Sequence, residues 1–567
     1  MHPSAPTRRK AVNPVTTAPG PVVLRVRAAH DLIARADRPE IWIDLRPRDE
    51  VETEARTLDA RLAAGEHLPL AGRLLAVKGN IDVAGLPTTA GCPAYAYTPD
   101  HDAPAVARLR AAGAIVLGTT NLDQFATGLT GTRSPVHGAV RGAVDPARIS
   151  GGSSSGSAVA VALGMADLAL GTDTAGSGRV PAAFNGIVGL KPTPRLVSTE
   201  GVVPACASLD CVSVFARTLL EAEQALGHLI TAPAVAAPAR APGPWRIAVP
   251  DPAALGELDP GWDEAYRAAA ARLEVAGALL RTVDPAPFLD AATLLYDGAF
   301  VAERYAAVGE FIDGLGTDVP DLDPTVAGII RRARDIPAHR LFTDRARLAG
   351  LRSRALASLG DADALLLPTA PGHPTLAAVA ADPLGANARL GRFTNSTNLF
   401  GMAAVAVPGG TVSGLPFGVM LIGRAHTDER LARIAALLTP ATRIAVAGAH
   451  LTGQPLNSQL LSYGAHFVRT TTTAPRYRLH ALPTDPAKPG LERVTRGGRV
   501  EVEIWELPAN GLGGLVAALP QPMAIGKVEL ADGTLVPGFL CEPAALGDGS
   551  RDITAYGGWR AYLAATS

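Results

Sequence analysis

Cysteine and lysine are among the scarcest residues in this chain of 567. The four cysteines, Cys92, Cys206, Cys211 and Cys541, show no CxxC or Cys/His spacing, which excludes the usual metal sites, and they are too sparse for a disulfide framework. A reduced, cytoplasmic protein with no metal and no cofactor is the expectation. An excess of one charge is also missing: 52 Lys and Arg face 53 Asp and Glu, a net charge of −1, so neither nucleic acid nor an anionic membrane surface is favoured as partner. Long apolar runs are absent. The longest tract, residues 158–170, carries Asp167 and suits a core helix better than a membrane span. Residues 1–20 hold the basic cluster Arg8-Arg9-Lys10, but no apolar segment follows, so a disordered tail is predicted there.

What is present is length enough for more than one domain. Apolar residues recur at helical intervals from Val22 to Glu66, broken at Pro39 and Pro47. The runs 74–77 and 114–117 read as strands, with a helical pattern over 105–112 between them, and this alternation continues to Val407. It predicts one α/β domain over residues 21–445. Beyond Gly448 the pattern changes to strands near 476–479, 500–505 and 525–530, with turn signals at Lys488-Pro489-Gly490, Gly497-Gly498 and Asp532-Gly533. A smaller β-rich domain over 446–567 follows. No repeat of fixed period is evident.

Two glycine-rich segments carry hydroxyls. The first is Ser150-Gly151-Gly152-Ser153-Ser154-Ser155-Gly156-Ser157, directly before a helical run; the second is Gly171-Thr172-Asp173-Thr174-Ala175-Gly176-Ser177-Gly178-Arg179. Taken alone, the first reads equally as a phosphate cradle, a linker or a cap, although no Gly-Lys-Ser/Thr follows to make a P-loop. Two such turns flanking one core helix return two hydroxyls to one end of the sheet. A serine becomes a nucleophile only beside a base, and no histidine lies near either turn in sequence. Lysine occurs only at positions 10, 78, 191, 488 and 527. Lys78 ends the apolar strand 74–77, where burial lowers an amine's pKa toward the neutral form that a base requires.

Lys78, the two serine turns and Gly189-Leu190-Lys191-Pro192-Thr193 together resemble the amidase signature family. The resemblance implies a mixed, mostly parallel sheet covered by helices. It also implies a Ser-cisSer-Lys triad, with Ser177 as nucleophile, Ser153 after a cis peptide as bridge and Lys78 as base. The oxyanion is then expected against the backbone N–H groups of Thr174, Ala175, Gly176 and Ser177. Ser154, Ser155 and Ser157 are expected to cap the helix or satisfy loop amides, Asp173 to hold the second loop, and Lys191 to serve structure.

Within that family, the segments 120–128, 171–185 and 208–216 are similar to allophanate hydrolases rather than to the glutamine-dependent amidotransferase subunits, although Ala175 departs from the usual Gly. Those enzymes bind substrate through a Tyr and an Arg eight residues apart, and the run 295–305 matches at Tyr296 and Arg304. A guanidinium fork suits a small carboxylated urea. The C-terminal region resembles the γ-glutamylcyclotransferase-like second domain of the same enzymes, which is proposed in some members to assist decarboxylation; His480 is the candidate residue there. The implied function is hydrolysis of allophanate to ammonia and N-carboxycarbamate, ending in ammonia and carbon dioxide. The alternatives are an amidase for another small acid amide such as malonamate, and a subunit of non-catalytic or amidotransferase type. The same resemblance implies a homodimer and a separate urea carboxylase partner. The chain has no Met-Lys-Met biotin signature, so a fused urea amidolyase is not expected.

Overall fold

The computed structural model describes residues 19–231, 240, 243–316, 319–439, 441–463, 465–484, 487–547 and 549–566. The tail predicted over 1–20 lies outside the described residues up to position 18. The chain divides into two units, residues 1–437 and 438–567.

The first unit is built on eleven strands: β1 Trp42–Leu45, β2 Leu74–Lys78, β3 Ile115–Thr120, β4 Leu168–Asp173, β5 Val188–Lys191, β6 Cys211–Ala216, β7 Arg246–Val249, β8 Leu279–Thr282, β9 Ala364–Pro368, β10 Ala403–Val412 and β11 Leu415–Gly423. They form one sheet in the order β1-β3-β2-β4-β6-β5-β10-β11-β9-β7-β8. Helices cover it, so β2, β3, β4, β6 and β9 are buried at every residue. Burial on both faces explains why these strands read as continuous apolar runs rather than alternating ones.

The sheet is mixed, as expected, but its parallel share is smaller than expected. Parallel pairing is confined to β3-β2-β4 and β9-β7-β8, and the other neighbours are antiparallel. The physical reason is visible in the connections. β10 and β11 are joined by the two-residue turn Ser413-Gly414, with φ of 50° and 80°, the primed geometry that folds a strand straight back on its neighbour. β1 is a second departure: it interrupts the stretch read as helices and pairs antiparallel with β3.

The parallel trio positions the serine turns. Val77 pairs with Leu170, so Lys78 and Thr172 emerge together at the ends of β2 and β4. The helix Ser155–Ala162 runs back from that end to feed β4, which returns the 150–154 loop to the same edge. Its small residues let it pack closely, since a Cβ on Gly156 would lie 2.3 Å from the Ile41 carbonyl.

The second unit has a five-stranded and a three-stranded sheet. Its strands are β12 Ala441–Val446, β13 His466–Thr472, β14 Tyr477–Leu482, β15 Lys488–Arg493, β16 Glu501–Pro508, β17 Met523–Glu529, β18 Leu535–Cys541 and β19 Arg551–Asp552. The orders are β13-β16-β12-β18-β17 and β15-β14-β19. β12 pairs with β16, so the break between units falls before this strand rather than after it. Lys488-Pro489-Gly490, read as a turn, opens β15 instead; β15 is an edge strand, where a proline's missing N–H costs no ladder bond. Asp532-Gly533 does form the turn of a hairpin, β17 to β18.

Candidate active site

Three groups from three elements meet at the end of the parallel trio. Lys78 Nζ lies 2.8 Å from Ser153 Oγ, and Ser153 Oγ lies 2.9 Å from Ser177 Oγ. The Gly152–Ser153 peptide is cis. Lys78 is fully buried, and that desolvation pulls its ammonium down from 10.5 to about 7, against the charges of Asp123, Asp210 and Asp173 that pull it up. An amine in this range is substantially neutral near pH 7. It has a lone pair for the Ser153 proton while a Nζ–H still donates to Thr172 Oγ1 at 2.7 Å.

The turn carrying Ser177 is tied down by a buried ion pair. Asp173 accepts Arg179 Nε at 2.9 Å and Nη2 at 3.0 Å, and both side chains are wholly inaccessible. Burial alone would raise the Asp173 carboxyl, but Arg179 and the more distant Lys191 hold it below its ordinary value. The same carboxylate accepts the N–H groups of Gly176 and Gly178. This corrects one expectation: the Gly176 N–H already serves Asp173 and is not free for an oxyanion. Among the described residues, the N–H groups of Thr174, Ala175 and Ser177 have no partner. Gly176 instead provides clearance, with φ of 137° and Thr394 Oγ1 only 2.4 Å from where a Cβ would sit.

The remaining serines bind backbone. Ser154 Oγ meets Thr172 O and N, Ser155 Oγ donates to Asn121 O and Ser157 Oγ donates to Leu170 O, so they tie the first loop and the start of the helix to neighbouring backbone rather than cap the helix. Lys191 Nζ donates to the carbonyls of Pro192 and Met402.

Arg304 and Tyr296 also come together. Arg304 Nη2 lies 3.3 Å from Tyr296 Oη, and its guanidinium carbon is 4.7 Å from the centre of that ring. Arg304 is buried, its Nε has no partner, and among the described residues no carboxylate pairs with it. Its Nη1 meets Cys206 Sγ at 2.9 Å. Residue 206 continues toward the turn carrying Ser177: its N–H donates to Asp210, which accepts the Thr174 hydroxyl. Tyr296 also walls a cavity of about 540 Å³ shared with Asn395, Arg389 and Arg392.

Comparison with known proteins now decides the family. The amidase model matches residues 32–432. The chain belongs to the amidase family. Residues 442–564 match the allophanate hydrolase C-terminal domain. Among relatives, the urea amidolyase of Lachancea kluyveri is 41% identical over 92% of this chain; the chain spans 31% of that protein's length. The urea amidolyase of Saccharomyces cerevisiae is 40% identical over the same share of each chain. The solved allophanate hydrolase of Kluyveromyces lactis is 38% identical, with a TM-score of 0.68 over 97% of this chain and 98% of that one.

Some residues of this amidase site escaped the sequence reading. Thr172 sits in the glycine-rich segment 171–179, but only the β2–β4 register turns its hydroxyl toward Lys78. Cys206 carries no motif signal at all. In the second unit, His480 lies on β14 with Nε2 3.0 Å from Glu492 Oε2. A small cavity of about 50 Å³ in that unit is lined instead by His450, Gln459, Lys488 and Phe539. His450 stacks on Phe539, and burial lowers its pKa.

Proposed function

We propose that this protein hydrolyses allophanate, with Ser177 as nucleophile, Ser153 as relay and Lys78 as base. The observation that carries the choice of substrate is Arg304, a buried cation that no carboxylate among the described residues pairs with. A buried, unpaired charge is costly, and a ligand that supplies the opposite charge is strongly favoured at such a place. Allophanate offers a carboxylate for the guanidinium and a terminal amide for the serine.

Ser177 Oγ attacks the amide carbonyl, and its proton passes through Ser153 to neutral Lys78. The oxyanion is received by the N–H groups of Thr174, Ala175 and Ser177, each such donor contributing about 3 kcal/mol to the transition state. The C–N bond then breaks, the relay returns the proton to the leaving ammonia, and an ester on Ser177 remains. Water, deprotonated through the same relay, hydrolyses that ester to N-carboxycarbamate. The product ends as ammonia and carbon dioxide, and the second unit assists its decarboxylation. A urea-carboxylating activity supplies the substrate, a reading supported by the urea amidolyase relatives.

Steady-state ammonia release from allophanate, malonamate and a fatty amide tests the proposal. Allophanate is expected to have the highest kcat/KM. Good turnover of either other amide with none of allophanate would overturn it.

A further inference from the structure

Three arginines are buried among the described residues of the first unit; Arg133 donates to the backbone carbonyls of Thr127 and Pro383, while Arg179 and Arg304 are treated in opposite ways. Arg179 is given a carboxylate, held by two bonds to Asp173 and fixed further by Thr397 Oγ1 at 2.9 Å and Asn398 Oδ1 at 2.8 Å. Its charge is balanced and its role is to hold a turn. Arg304 is given a thiol, a phenol and an aromatic face, and its Nε is left without a partner. None of these groups carries a negative charge. The nearby carboxylate, Asp210, is occupied by the Thr174 hydroxyl and the N–H groups of Ala205 and Cys206. Burial pushes the Cys206 thiol up to about 12, despite the opposing pull of Arg304, so at neutral pH the sulfur accepts a hydrogen bond as an uncharged group.

We propose that Cys206 is the positioning residue of the anion clamp: its neutral sulfur fixes Arg304 without neutralising it, leaving the charge to be completed by the substrate's carboxylate. The inference rests on the reading of Arg304 as the carboxylate-binding group. It assigns specificity to a residue that need not touch substrate. A carboxylate at position 206 would hold Arg304 at least as firmly but would leave no charge for an anionic ligand, so the choice of thiol over carboxylate is what selects acids over neutral amides. Because the backbone of residue 206 also bonds Asp210, and Asp210 receives Thr174, the clamp is registered to the nucleophile turn.

The test compares allophanate with biuret, in which a carboxamide replaces the carboxylate, using the full chain. Cys206→Asp is expected to lower the preference for allophanate over biuret, measured as the ratio of kcat/KM values, by about tenfold or more, chiefly through KM for allophanate. Cys206→Ala is expected to raise that KM several-fold with kcat little changed, and Cys206→Ser, which restores a neutral acceptor, to return it toward wild type. Thermal unfolding checks that each variant folds; if Cys206→Asp does not, the alanine and serine pair decides. Retention of the wild-type preference by folded Cys206→Asp, or an unchanged KM in Cys206→Ala, would overturn the proposal. Wild-type enzyme that turns over neither allophanate nor biuret would instead remove the functional reading, and malonamate against malonamide then applies the same ratio to Cys206.

Discussion

Lys78, the proposed base, shows how surroundings set the protonation of one residue. Its strand delivers it to a fully buried position, and three aspartates limit how far its pKa falls. The active form of a general base is the neutral one. Activity should therefore be lost as pH falls through about 7 and should level off above it. A profile of kcat/KM against pH checks this, and a flat profile between pH 5 and 8 would contradict it. The convergence of Lys78, Ser153 and Ser177 was legible because glycine-rich turns and a strand-ending lysine are rare enough to notice. Thr172 and Cys206 were not, since a threonine in a strand and a lone cysteine have many ordinary uses, and only the fold shows which atoms they face. The Gly176 N–H was misassigned for a similar reason: the sequence shows that Asp173 is near, but not that its carboxylate reaches back to that amide.

At the scale of elements, the turn carrying Ser177 depends on a balanced ion pair and on one residue without a side chain. Arg179→Met leaves the Asp173 carboxylate buried and unpaired, and should cost about 3–5 kcal/mol of stability, measured by chemical denaturation. A loss below about 1 kcal/mol would show that the pair does not hold the turn. Gly176→Ala forces a methyl group against Thr394 in a backbone conformation that disfavours it. It should lower stability by about 1–3 kcal/mol and lower kcat as well, because the displaced turn carries the proposed oxyanion donors. The strands themselves were readable from apolar runs, but their directions were not. Nothing in the composition of β10 and β11 distinguishes a hairpin from a crossover, and the Ser413-Gly414 turn that decides it is only two residues long. Pro489 shows the converse, a turn signal that an edge strand absorbs.

At the scale of the molecule, the residues of the proposed relay and of the proposed Arg304 clamp belong wholly to the unit of residues 1–437. Separating the chain at that boundary should leave ammonia release from allophanate in the first piece, with a slower yield of carbon dioxide. Full and equally fast carbon dioxide release by residues 1–437 alone would remove decarboxylation from the second unit. The two-unit plan was readable from the change in strand pattern near Gly448, whereas the break itself, before β12, needed the pairing of β12 with β16. The candidate residue in the second unit was the least legible feature. His480 is a strand histidine paired with Glu492, and the cavity there is walled by His450. The proposed hydrolysis depends on one oxygen atom acting as nucleophile, and ammonia release from allophanate by wild type and Ser177→Ala measures that most directly. Wild type is predicted to release ammonia, and the variant to fall by about a thousandfold or more with an unchanged unfolding midpoint. A folded Ser177→Ala enzyme that keeps a substantial fraction of the wild-type rate would contradict it.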